Sequence, residues 1–301
     1  MQKIYLRVIC LMMFHFIVYG QDIEMNFPKF SGKSYDFILF QGSGQKTIIQ
    51  GVIPKDGKFV LSIPDEYNGY EGMSRWLITG TKEGGGLDLY LPGHGFSVSC
   101  LSNVPREDNI VYVNNDGNLM LNKLYKEGEE IVNRYDLMLR VVNSFNRKDK
   151  SYDVFLSEAE RQKKLYATYQ NALTKKGDYI SDFIRIVNIT RGIGTRLYED
   201  EISKAKNIDD YIVNTMDFER LYTSGHWWSV LSSWVDIHTR VLKDSRQFSL
   251  NYNKIKRKLK ELSNNFLSAG FKTQILNSLK ENTENEEYLR IIGGMVEKST
   301  S

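Results

Sequence analysis

Few residues here could carry chemistry, and the thiol comes first. The chain has two cysteines, Cys10 and Cys100. Once the leader described below is removed, Cys100 is the only thiol left. A redox thiol works with a second cysteine in reach or beside a cation that lowers its pKa, and neither adjoins Cys100. In Phe96-Ser97-Val98-Ser99-Cys100 it shares one face with Phe96 and Val98 at period two, so it reads as a small hydrophobe in a strand. His226 and His238 lie twelve residues apart, about 120° around a helix, so they do not face one metal ion. Each is expected to be a core or helix-capping histidine. Ser224, His226 and Asp236 supply the residue types of a hydrolytic triad, but triads are defined by geometry and no G-x-S-x-G elbow accompanies them. Gly192-Ile193-Gly194 is a lone G-x-G without the preceding strand a nucleotide site requires, and reads as a helix break. No residue is assigned a catalytic, cofactor-binding or metal-binding role.

Aromatic residues offer a second kind of chemistry. Tyr is frequent at 18, and Tyr67, Tyr70, Trp76, Trp227 and Trp228 form a candidate binding surface that could stack on sugar rings if exposed together. The competing expectation is core. Trp227, Val230, Leu231, Trp234, Ile237 and Val241 recur at helical spacing, the pattern of a stripe packed between helices. In Lys254–Lys260 five cations surround Ile255 and Leu259. With Leu262 and Phe266 these apolar residues predict a buried stripe, and the cations a solvated face.

The elements that must position these residues divide into two halves. From Ile23 to about Tyr112, short β-branched and aromatic runs are separated by Gly, Asn and Asp. Leu87–Leu91 and Phe96–Leu101 read as two strands joined by Pro92-Gly93-His94-Gly95. Asp56-Gly57 predicts a hairpin between Thr47–Ile53 and Phe59–Ile63. Six or seven antiparallel strands suggest a β-sandwich over residues 21–116. Beyond Asn114-Asn115-Asp116-Gly117, Leu121, Leu124, Ile131, Tyr135, Leu139 and Val142 recur at threes and fours. Ser157 and Glu160 have capping-box spacing, and Gly177-Asp178 separates two further helices. More are predicted at Ile208–Met216, Trp227–Leu242, Tyr252–Leu267, Phe271–Lys280 and Glu286–Glu297. The expected class is α+β, an antiparallel sandwich followed by an all-helical region over residues 117–301.

Composition limits the partners. Met1–Gly20 has Lys3 and Arg7, an apolar run of about 12 residues and a small residue before Gln21; this is a secretory leader, too short for the ~20 residues of a membrane span. The expectation is an exported protein, periplasmic or envelope-associated, with no transmembrane span after cleavage. The remaining chain has 38 basic and 37 acidic residues, which argues against nucleic acid as a partner. Residues 21–116 hold 8 basic and 12 acidic residues, and residues 117–301 hold 30 and 25, an opposition that would favour docking of the halves.

Lys55-Asp56-Gly57-Lys58-Phe59, then a strand, then a turn such as Leu91-Pro92-Gly93, resembles the N-terminal sandwich domain of exported bacterial thioredoxin-like thiol-disulfide oxidoreductases of the alkyl hydroperoxide reductase/thiol-specific antioxidant type. In that family the sandwich leads into a helical segment, as Leu119–Leu289 does here, and catalysis belongs to a C-terminal thioredoxin fold with a Cys-x-x-Cys pair. No such pair is present in this sequence, so no family catalytic residue is carried over. The resemblance implies a non-catalytic binding or accessory protein linked to envelope redox homeostasis. A glycan-binding module of the envelope is the alternative.

Overall fold

The computed structural model describes residues 21–82, 84–262, 264–281 and 285–297; the leader read at Met1–Gly20 lies outside them. The α+β class holds. Strands β1 (Asp22–Asn26), β4 (Lys58–Ser62), β7 (Phe96–Ser99) and β8 (Val111–Val113) form one sheet in the order β4-β1-β7-β8. Strands β2 (Ser34–Gln41), β3 (Gly44–Val52), β5 (Glu71–Thr79) and β6 (Gly86–Pro92) form the other in the order β3-β2-β5-β6. The sandwich is not wholly antiparallel, because β1 pairs in parallel with β7.

The turns at Asp56-Gly57 and Pro92–Gly95 exist, but neither makes a hairpin. Gly57 N donates to Pro54 O at 2.9 Å, and Gly57 takes φ 75°, where a side chain would also collide with Pro28. The strands it joins, β3 and β4, lie in different sheets, and so do β6 and β7 on either side of Pro92–Gly95. Alternation shows that a strand has an inward face; it does not show which sheet the strand joins. The real hairpins are β2–β3, turning at Gly42-Ser43, and β5–β6.

Inward residues of the two sheets meet in a core around Trp76, whose ring lies 4.6 Å from Phe27. The second sheet is covered on its other face too. There Phe40, Met73 and Tyr90 pack on Tyr179, Ile180 and Phe183, with Met120, Leu121 and Leu124 beside them. The molecule therefore has three layers: open sheet, covered sheet, helices.

The helices begin with α1 (Asp116–Ser144), capped by the Asn115 side chain. Next, α2 (Tyr152–Lys176) starts before the expected capping box, so Ser157 and Glu160 lie inside it. Its early turns gain a partner in the Phe145–Phe155 ring contact at 5.3 Å. Left-handed Gly177 ends α2, and Asp178 caps α3 (Tyr179–Thr190). Then come α4 (Glu201–Asp210), α5 (Phe218–Tyr222) and α6 (Trp227–Asp236), with α4 and α6 each running on into a π turn. The break expected between Tyr252–Leu267 and Phe271–Lys280 comes earlier, between α7 (Ser245–Glu261) and α8 (Asn265–Lys280), because the Asn264 side chain accepts from Phe266 N and Leu267 N and starts α8 there. Phe266 consequently leaves the buried stripe and is 78% exposed. Helix α9 (Glu286–Glu297) closes the described chain. The stripe from Trp227 to Val241 packs as core with Phe248, Tyr252 and Phe271. Among the described residues no helix is long and apolar enough to cross a membrane.

Charge does not hold the halves together. Among the described residues, no ion pair joins 21–116 to 117–301. Besides the apolar seam, neutral hydrogen bonds do the joining. Gly42 N donates to Tyr222 O at 2.7 Å and Met73 N to Thr223 O at 2.9 Å, while the Asn118 amide pairs with both backbone groups of Tyr90.

Candidate functional site

The loop Tyr222–Gly225 reaches the end of the covered sheet, where β2 and β5 stop pairing. Tyr70 fills that gap from inside: its hydroxyl donates toward Phe40 O at 2.8 Å or Met73 O at 2.9 Å. Burial raises the Tyr70 pKa far above that of free tyrosine, so it stays a neutral donor. With the loop anchored, the β2–β3 tip lies across α6 and α8. Gly42 makes this approach at φ 60°, where a Cβ would come within 2.8 Å of the Tyr222 ring. Ser43 Oγ then donates to Gln274 Oε1 at 2.9 Å, and Gln274 Nε2 donates to Ser278 Oγ at 3.1 Å.

Between hairpin tip and helices is a cleft of about 390 Å3. Tyr222 and Trp227 line it, Gly270 keeps its wall low, and Phe266, Thr273 and Asn277 stand exposed at its edge with Gln41 and Ser43 opposite. No charged side chain lines it. The side chains of Gln41, Thr273 and Asn277 in this lining make no hydrogen bond with described residues. This set can bond the hydroxyls of an uncharged ligand and lay a ring face against it.

The five residues expected as a binding surface do not assemble. Trp76 and Trp227 are each 1% exposed, and Tyr67 and Tyr70 are buried; only Trp228, at 53%, faces solvent. The sandwich aromatics took the inward positions, where large rings bury most apolar area. Trp227 alone touches the cleft, as part of its lining. Gln41, Ser43, Thr273 and Asn277 leave no trace in the sequence pattern, because single polar residues carry no period. The Asn264 cap was the one clue that Phe266 would leave the core.

Ser224 is buried and donates to Leu221 O at 2.7 Å, His226 lies against Phe183, and Asp236 pairs with Arg240, so no triad forms. His226 holds the N-cap position of α6 without capping it. His238 is a core residue, as expected. Cys100 is 1% exposed, with its Sγ donating to Asn109 Oδ1 at 3.3 Å. Among the described residues no group of three or more His, Cys, Asp or Glu could hold a metal ion. In the cation run, Lys258 turns inward instead of facing solvent. It donates to Met216 O at 2.6 Å over the Phe218 ring, and burial lowers its pKa.

Comparison of the chain with protein-family models, curated proteins and solved structures finds no match.

Proposed function

We propose that this chain is a non-catalytic, exported binding protein of the cell envelope whose ligand is an uncharged glycan held in the cleft beneath the β2–β3 hairpin. The observation that carries the reading is the lining: amides and a hydroxyl on Gln41, Thr273 and Asn277 that bond no described residue, an exposed Phe266 ring, and no charge. Uncharged sugars are recognised by such neutral groups together with a ring for their apolar face. The export element rests on the leader pattern of Met1–Gly20.

Calorimetric titration of the protein from Gln21 onward with a panel of neutral bacterial and plant oligosaccharides tests this. Binding of at least one is expected, weakened about tenfold or more by Phe266→Ala or Asn277→Ala. Heat from none of the panel, or affinity unchanged in both variants, counts against it. A second proposal, an accessory role beside an envelope thiol-disulfide oxidoreductase, is supported by the turns at Lys55–Phe59 and Leu91–Gly93 that carry the resemblance. It requires no thiol of this chain. Co-purification with a dithiol oxidoreductase from envelope extract, retained by Cys100→Ala, is its expected result.

A further inference from the structure

We propose a second ligand site, for a small organic anion, in the pocket that the α3–α4 turn forms against α1. The Gly192-Ile193-Gly194 break leaves this turn facing α1 across a pocket of about 260 Å3. Val132, Leu139, Ile193 and Leu197 make its apolar wall. Tyr135 lines it as well, 2% exposed, and its buried hydroxyl has no hydrogen-bond partner. Buried hydroxyls are nearly always satisfied, so this one asks for a partner; its oxygen is enclosed, and an acceptor in the pocket reaches it by a small shift of the wall.

The charges around the pocket supply the sign of that acceptor. Arg191 is already neutralised by Glu129. Lys163, over the Tyr135 ring at 5.8 Å, is held by Glu160 and Glu199. Arg196 and Lys204 line the pocket without an ion pair among the described residues, Lys204 within the field of Asp200; Asp136 is the acid of the lining, and Glu160 and Glu199 also act on Tyr135. The Arg196 backbone is fixed by its N–H donating to Asn207 Oδ1 at 3.1 Å; a side chain at Gly194 would collide with that same oxygen. Two cations that form no ion pair with described residues, beside an unpartnered phenol, suit an oxyanion head, and the apolar wall suits a short hydrocarbon body. The site is separate from the glycan cleft and does not depend on it.

Thermal unfolding of the protein from Gln21 onward, at matched ionic strength, tests the proposal with hexanoate, phenyl phosphate, sodium chloride and hexanol. Hexanoate or phenyl phosphate is expected to raise Tm above the chloride and hexanol controls, and the stronger of the two identifies the head group. The rise should fall about threefold or more in Arg196→Gln, Lys204→Gln and Tyr135→Phe. Without an anion, Tyr135→Phe should be at least as stable as the parent, because it removes an unsatisfied group. A rise equalled by chloride or by hexanol, or one that persists in Arg196→Gln and Lys204→Gln, overturns the proposal.

Discussion

Three donors converge on the Asp209 carboxylate: Trp234 Nε1 at 2.8 Å and His238 Nε2 at 2.9 Å on one oxygen, Asn251 Nδ2 at 2.8 Å on the other. All three donors are buried, so removing the acceptor leaves each without a partner. Asp209→Ala should cost roughly 3 kcal/mol or more, read from urea unfolding. Sealing acts on Cys100 as well. With its sulfur enclosed, labelling by a water-soluble disulfide reagent should be about a hundredfold slower in the native protein than in urea, since it must wait for opening; fast native labelling would show the strand to be open. His226 answers to pH. Burial lowers its folded pKa below the ordinary 6.5, so below that value the unfolded chain takes up a proton that the folded chain refuses. Stability is therefore full above pH 6.5 and falls as pH drops through it. His226→Gln should flatten the unfolding midpoint between pH 7 and 5; an unchanged slope would assign the dependence to other groups.

Among the elements, the β2–β3 hairpin does the most, since its tip both docks the halves and forms one side of the cleft. A methyl group at Gly42 meets the Tyr222 ring in a backbone region that L-residues avoid. Gly42→Ala should therefore cost about 1–3 kcal/mol and weaken any ligand of the cleft, with the sandwich core unchanged. Matching near-ultraviolet dichroism and amide exchange of Trp76 and its neighbours would confirm that the damage is local. The sequence located the strand that follows this tip, Thr47–Ile53, yet predicted a hairpin one turn later at Asp56-Gly57. Local chemistry explains the difference: Asp-Gly predicts a tight turn wherever it stands, whereas pairing is decided by which sheet has room for the next strand. Helix order was legible because apolar spacing persists over many turns. The division between α7 and α8 depended on one side-chain cap. The cleft was not legible, because its polar residues come from β2, the hairpin turn and α8 and share nothing but position in space.

At the scale of the whole molecule, the covered sheet couples two cores through a seam that no ion pair crosses among the described residues, and tyrosine is its recurring material. Tyr70, Tyr90 and Tyr179 meet at or beside that seam; Tyr90 stacks on Tyr179 at 5.1 Å and donates to Glu71 Oε1 at 2.7 Å. Tyr166, Tyr169 and Tyr211 are buried among the helices. In all six, burial is the largest cause of a pKa raised above the ordinary 10.0; Tyr112 and Tyr135 are pushed up to about 12. Above pH 10 the unfolded chain releases these protons while the folded chain keeps them. The folded state then binds more protons, and stability falls as pH rises. The contribution is complete below pH 10 and is lost progressively above it, more steeply than one group could produce because several titrate together. Urea midpoints should thus be level from pH 8 to 9.5 and drop sharply by pH 11.5. The share of the tyrosinate absorbance that belongs to these buried rings should lag behind that of free tyrosine and then rise with the loss of helical dichroism. A gradual, tyrosine-like titration with the helices intact would mean that these hydroxyls reach water without unfolding, and the three-layer packing around the seam would have to be looser than described.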